Sequence, residues 1–336
     1  MKRLLLAMSL LLTFPLVTYA ENIHSEVLSH GENGQVSTIT GNGTQGQGTY
    51  TLDHPRFPGA DSKGNVYFLD GSQKTMKLRK WDGTKNTTIV DMKKNTVTAR
   101  EGEFFSTGLQ VINDQVYFSS EEKVYKLIGD RVTELDPAIK TWMKDNHYVY
   151  IFRMEQYKND LVLMLFRKGD YTQAREYGFI KYNLNSKEIE EVMPAMQYPN
   201  PSNFFMQEKG LSIASLTGAI YYDKFFPLQF KDQLNTNQGG ILDVWIDDSY
   251  LYHVINKDQT SYEIHRIPIG EKGEGLGELV AGGYMGFTDG IADEVRMDYP
   301  TDFSWDGTGF LFADRDSNAI RKLWINSKPL NYGDER

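Results

Sequence analysis

The 336-residue chain contains no cysteine. That excludes disulfides, thiolate metal sites, cysteine nucleophiles and a lipid-modified N-terminal cysteine, so stability must come from packing. Long apolar runs are also scarce. After the stretch Leu4 to Leu12 nothing approaches the roughly 18 uninterrupted apolar residues that a membrane helix needs, and no transmembrane segment is expected in the mature chain. Basic residues are outnumbered, 36 Lys and Arg against 45 Asp and Glu for a formal charge of -9. The richest basic run, Lys74 to Lys80, reads as a solvated strand face, so nucleic acid is not expected as a partner. Long stretches of helical periodicity are scarce as well, and the rhythm is all-β.

What is present at the N-terminus has the form of a secretory signal. Lys2 and Arg3 precede the apolar run, and the small residues Thr18 and Ala20 precede Glu21. Cleavage after Ala20 would leave a chain of about 316 residues with a charge near -11, followed to residue 35 by a short extension. The expected location is extracytoplasmic, periplasmic or secreted. A retained N-terminal anchor is the alternative.

The rest of the chain is rich in Tyr (20), Phe (18) and Gly (30), with turn residues punctuating short β-type runs. Such runs are Asn65 to Asp70, Met76 to Trp81, Gln115 to Ser120, Lys123 to Ile128, Leu161 to Phe166, Ile241 to Asp247 and Tyr250 to Asn256. An internal repeat joins the two ends. Asp61 to Trp81 parallels Trp305 to Trp324, matching Asp70 with Asp314 and bringing Arg79 close to Arg321. Each copy follows a proline (Pro55 or Pro58, and Pro300) and a glycine-rich approach, from Gly41 in one and Ala281 in the other. These features resemble the NHL repeat: a Gly-rich loop, a proline before the innermost strand, an Asp-Gly hairpin, a strand ending in Asp, then an Ile-Arg-Lys-like strand.

The resemblance implies an all-β, six-bladed β-propeller over residues 36–336, with blade cores near 57–93, 107–135, 147–193, 203–235, 241–280 and 299–325. One blade cannot bury both of its faces, and repetition around a ring solves this. Length allows six or seven blades of about 40 to 50 residues. The strand Val36 to Thr40 is expected to pair with Ala319 to Ile325 and close the ring in the last blade, which removes exposed edges.

Several local patterns admit a chemical and a bland reading. Gly41, Gly43 and Gly46 match G-x-G-x-x-G, but the prolines of "TYTLDHPRFP" leave no helix to meet a pyrophosphate, so a connecting loop is the better reading and no cofactor is implied. Asp314, Asp316 and Asn318 imitate the opening of a calcium loop. Ala319 and Ile325 stand where its glycine and bidentate acid belong, which favours a turn. The acid pairs Asp247/Asp248, Asp289/Asp293 and Asp298/Asp302 could serve as acid–base groups or fix turns. Asp61 and Asp302 stand out because the resemblance places such positions near the mouth of the central channel. It also implies a comparison with amidating lyases, which hold a central metal on histidines. Of the six histidines, His24, His30, His54, His147, His253 and His265, the positions to inspect are His54, His147 and His253, from three blades; the bland reading is scattered, partly buried or surface histidines, and no local motif specifies a metal.

The favoured expectation is a noncatalytic propeller that binds a protein, peptide or carbohydrate through loops on one face. A metal-assisted lyase or hydrolase at the channel mouth is the alternative. The residues expected to bind are Tyr50, Asp53, His54, Arg56, Tyr284, Arg296, Asp298 and Tyr299, in the two glycine-rich approaches, with the aromatic stretches Tyr284 to Phe287 and Tyr221 to Pro227 as further surfaces for stacking.

Overall fold

The computed structural model describes residues 31–92, 106–168, 175–197, 201–207, 210–215, 220–222, 240–257, 259–268, 277–326 and 328–329. The signal-like segment 1–20, His24, His30 and the stretch 223–227 lie outside the described residues.

Antiparallel strands follow one another in hairpin order. The first four-stranded sheet is β2 (Arg56–Ala60), β3 (Val66–Asp70), β4 (Lys77–Trp81) and β5 (Asn86–Asp91). The second is β6 (Ser106–Ile112), β7 (Gln115–Ser120), β8 (Lys123–Ile128) and β9 (Arg131–Glu134). The third is β10 (Tyr150–Tyr157), β11 (Asp160–Lys168), β12 (Arg175–Asn183) and β13 (Ile189–Gln197). A three-stranded sheet of β14 (Pro201–Gln207), β15 (Gly210–Ser215) and β16 (Ile220–Tyr222) comes next. The following sheet is β17 (Ile241–Ile246), β18 (Tyr250–Lys257), β19 (Ser261–Pro268) and β20 (Glu278–Tyr284). The last is assembled from both ends of the chain, in the order β21 (Gly290–Ile291), β1 (Gln35–Gly41), β24 (Ala319–Trp324), β23 (Gly309–Asp314), β22 (Pro300–Trp305).

The innermost strands touch one another in a closed cycle, β2–β6–β10–β14–β17–β22 and back to β2. Neighbours run in the same direction and in step: Phe57 N donates to Asp302, and Ser304 Oγ donates to the Pro58 carbonyl. This is a β-propeller around a central axis. Closure joins Val36 to Leu323 and Thr38 to Arg321 in antiparallel register, with Gly34 N donating to the Trp324 carbonyl at 2.7 Å.

The expected count of six blades requires a correction. Five sheets are complete blades of four or more strands, whereas β14–β16 has three among the described residues. Among the described residues its outer strand pairs over Ser212 to Ala214.

Apolar clusters fill the wedges between sheets. Ile39, Leu311, Ala313 and Ile320 of the last sheet pack on Val66, Phe68 and Trp81 of the first. The long seam between the β17–β20 sheet and the closing sheet is built on Val244, Trp245, Val254, Ile264, Phe303 and Phe312. The strands read as near-continuous apolar runs because both of their faces are covered. Among the described residues one helix, α1 (Pro137–Asp145), bridges β9 and β10 and was not foreseen from the sequence. Asp136 caps it by accepting from Ala138 N at 2.9 Å, Pro137 begins it, and Ile139 and Met143 bury its inner face.

Candidate functional site

The two glycine-rich approaches are held in the same way, and the internal repeat is the reason. In the first blade the buried Asp70 accepts from Asp53 N at 2.6 Å and from Arg79 at 2.7 Å, while Arg79 also donates to the carbonyls of Thr51 and Gly48. In the closing blade Asp314 accepts from Asp298 N at 2.7 Å and from Arg321 at 2.8 Å, and Arg321 donates to the carbonyls of Arg296 and Thr288 and to Asp289. An Asp at the end of one strand and an Arg on the next thus clamp the loop that leads into the innermost strand. Asp53 aligns with Asp298, His54 with Tyr299 and Phe57 with Asp302. His54, Phe57, Tyr299 and Asp302 all have positive φ, 50°, 51°, 63° and 61°. His54 and Tyr299 each precede a proline, so this unusual backbone persists because its surroundings fix it.

Where these loops end, Arg56, Tyr299, Arg315 and Asp316 gather around the channel mouth. Arg315 N donates to the Tyr299 carbonyl at 3.3 Å, its guanidinium lies 4.7 Å from the centre of the Tyr299 ring, and its Nε is 3.2 Å from Asp316 Oδ1. Tyr262 meets the edge of Tyr299 at 6.1 Å. Arg56 is held below the ordinary arginine range by burial and by the nearby charge of Arg315.

Deeper along the axis lies a polar hub to which every innermost strand contributes. Arg153 donates to Asp302 at 2.7 Å and to Glu155 at 2.9 Å, and stacks over Phe57 at 5.1 Å. Gln110 donates to Glu155 at 3.1 Å. Asn203 donates to Asp243, whose carboxylate also accepts from Val244 N at 2.8 Å and Phe303 N at 3.0 Å. Burial pushes the Glu155 carboxyl up to about 7, against the opposing charge of Arg153, and burial likewise pushes Asp243 up to about 6. Arg153 is buried, but the carboxylates of Asp302 and Glu155 hold it above its ordinary range.

A closed ring leaves the axial edges of its innermost strands without partner strands, and their N–H groups must be satisfied by something else. The hub does this. Phe57 N goes to Asp302, Val244 N and Phe303 N to Asp243, and Phe204 N to Asn203. All three hub carboxylates are thus committed to protein partners.

The residues expected from the sequence divide into groups. Arg56 and Tyr299 meet at the mouth, and Asp298 is close enough to Asp316 to feel its charge and to Tyr262 to disfavour ionisation of that phenol. Asp53 accepts from Gln45 at 2.8 Å and sits 2.9 Å from His54 Nδ1, and His54 N donates to Asn318 at 3.0 Å, so these two tie adjacent loops. Arg296 folds back on the carbonyls of Asp293 and Val295 and acts as a strut inside its own loop. Tyr50 and Tyr284 are 65% and 72% exposed, and neither ring makes a hydrogen bond or ring contact among the described residues.

Other sequence readings also resolve. Asp302 is in the hub. Asp61 is at the far end of β2, where it accepts from Lys63 N, Asn65 N and Tyr67 OH and fixes a turn. His54, His147 and His253 are not brought together: His147 follows α1, and His253 pairs with His265 across β18 and β19, rings 5.7 Å apart. Among the described residues no group of three or more His, Asp or Glu side chains is arranged to hold a metal ion. Arg153, Glu155, Asn203, Asp243, Gln110 and Arg315 were not foreseen as site residues. Asn203 and Asp243 share with Asp302 the third position of their innermost strands, and no comparable sequence signal marks the other four.

No family model matches the chain, and no curated protein matches it. Solved structures do. A candidate gluconolactonase superposes with a TM-score of 0.53 at 8% identity, over 91% of this chain and 97% of that one. A luciferin-regenerating enzyme gives 0.51 at 13% identity, over 87% and 96%. A DUF4623 family protein from Bacteroides eggerthii gives 0.54 at 11% identity, over 89% and 77%. At such identities the likeness carries the fold and nothing finer. NHL-repeat membership, expected from the two end repeats, therefore reduces to a coarser conclusion: the chain is a β-propeller.

Proposed function

We propose that the protein is exported and noncatalytic, and that it binds a protein, peptide or carbohydrate ligand on the face where β2 and β22 begin. Export is supported by Lys2 and Arg3 ahead of the apolar run Leu4 to Leu12. The binding reading is carried by one contrast. The hub carboxylates are consumed in holding strand edges and Arg153, while the loops leading into β2 and β22 carry Arg56, a Tyr299 ring stacked on Arg315, and the exposed Tyr50 and Tyr284. Rigid loops with aromatic and charged tips suit recognition, because little ordering entropy is lost on binding.

A peptide and oligosaccharide array probed with the processed chain tests this. Specific ligands should be retained unchanged, as judged by mass spectrometry, and Tyr299→Ala should weaken them. Conversion of a retained ligand would move the protein to the second reading, a lyase or hydrolase at the channel mouth. That reading is favoured by Glu155, whose carboxyl is raised to about 7 and which could carry a proton near neutral pH.

A further inference from the structure

We propose that Arg56, with Arg315 and the Tyr299 ring beside it, forms a carboxylate-binding subsite at the channel mouth; this rests on the binding function proposed above and names the chemistry the mouth takes. Arg56 opens β2, and its Nε is buried without a hydrogen-bond partner. Its guanidinium has no ion pair among the described residues. Arg79 and Arg321, in the same two blades, also leave Nε without a partner, but their terminal nitrogens are taken up by carboxylates and two carbonyls each. The acids that act on Arg56 are already engaged, Asp302 by Arg153 at 2.7 Å and Asp316 by Arg315 at 3.2 Å. The Arg56 guanidinium is thus left without an ion-pair partner of its own, partly withdrawn from water and next to a second guanidinium. That arrangement is costly when empty and is relieved by an anion.

Shape and charge select the class of anion. A carboxylate matches the planar fork of a guanidinium and brings a single negative charge. A dianionic phosphate would bring a second negative charge toward Asp302, Asp316 and Asp298. Tyr299, already stacked under Arg315, offers an apolar wall for whatever the carboxylate is attached to.

The test is a fluorine NMR titration of the full processed chain with 4-fluorobenzoate, 4-fluorobenzamide and 4-fluorophenyl phosphate. The carboxylate should saturate with a half-point in the low millimolar range, the phosphate should bind several-fold more weakly, and the amide should not saturate. Arg56→Gln should weaken the carboxylate at least tenfold and Arg56→Lys less. Because Arg56 has no partner to lose, Arg56→Gln should melt at or above the wild-type temperature, which separates lost binding from lost folding. Arg315→Gln is a second variant expected to weaken binding. Equal binding of amide and carboxylate, tighter binding of the phosphate, or a carboxylate titration unchanged in Arg56→Gln would each overturn the subsite. If 4-fluorobenzoate fails to bind while array ligands are still held in a Tyr299-dependent way, the subsite falls and the binding function stands. If the carboxylate binds in an Arg56-dependent way while the array retains nothing, the subsite stands and recognition of peptides and oligosaccharides falls.

Discussion

Replacing Arg321 with methionine tests whether the Asp–Arg clamp is what the end repeats encode. Arg321 and Asp314 side chains are both fully buried, and Arg321 makes contacts of 2.8 Å to Asp314, 3.0 Å to Asp289 and 2.6 Å to each of two carbonyls. Methionine fills much of the volume but leaves Asp314 without a cation, facing Asp298 N and the Ser317 side chain, and strips both carbonyls. Removing one member of a buried pair costs about 3–5 kcal/mol, so Arg321→Met should fall in that range. Asp314→Asn keeps an acceptor for Asp298 N and leaves Arg321 with Asp289, and it should cost about 1–2 kcal/mol. The double variant holds no orphaned charge. It should therefore be no less stable than Arg321→Met alone, giving a coupling energy of about 2 kcal/mol. Urea unfolding followed by the fluorescence of Trp305 and Trp324, in the same sheet, measures all three. A loss below about 1 kcal/mol for Arg321→Met, or simple additivity in the cycle, would refute the clamp.

Further expectations concern closure, the hub and strand spacing. Val36→Ala, in the strand that joins the ends, should cost about 2 kcal/mol in the same unfolding assay, because Val36 is fully buried against the closing seam. Glu155 binds its proton more tightly when folded, with a pKa of about 7 against an ordinary 4.5. Its contribution to stability should therefore decline as pH rises from about 4.5 to about 7 and level off above that, a change of order 3 kcal/mol that Glu155→Gln abolishes. Paired melting curves at pH 5 and pH 8 check the sign. Gly108→Ala should be more damaging than a surface change, by about 2 kcal/mol or more, since a Cβ there would lie 2.7 Å from the Met154 carbonyl oxygen where β6 meets β10.

The ring was legible because its ends repeat. Asp70 and Asp314, together with Arg79 and Arg321, are spaced by the hairpin they occupy, and their agreement over a long sequence separation required a common local structure. The pairing of Val36 with Leu323 followed from a strand that had no partner before it. The number of complete blades was not legible. Between β14 and β17 the reading relied on rhythm alone, and rhythm does not distinguish a short strand such as Ile220–Tyr222 from a full one. Helix α1 was missed because one short capped helix carries too little apolar periodicity to stand out in a β-rich chain.

The hub escaped notice for a different physical reason. Each innermost strand has a register shift near its start, between Arg56 and Gly59, Ser106 and Gly108, Ile151 and Arg153, Pro201 and Asn203, Ile241 and Asp243, and Thr301 and Ser304. A bulge adds one residue to one strand and turns the next side chain away from the face that a two-residue period assigns to it. Arg153, Asn203, Asp243 and Asp302 all sit at such shifts, so alternation places them between blades while the backbone turns them toward the axis. The same bulges expose the strand N–H groups that these side chains satisfy. Polarity at those positions is thus a requirement of ring closure before it is a sign of chemistry. Arg56 differs from them in this respect: it stands at the first of these shifts and repays no hydrogen bond to the scaffold, which leaves a ligand as the partner its charge still lacks.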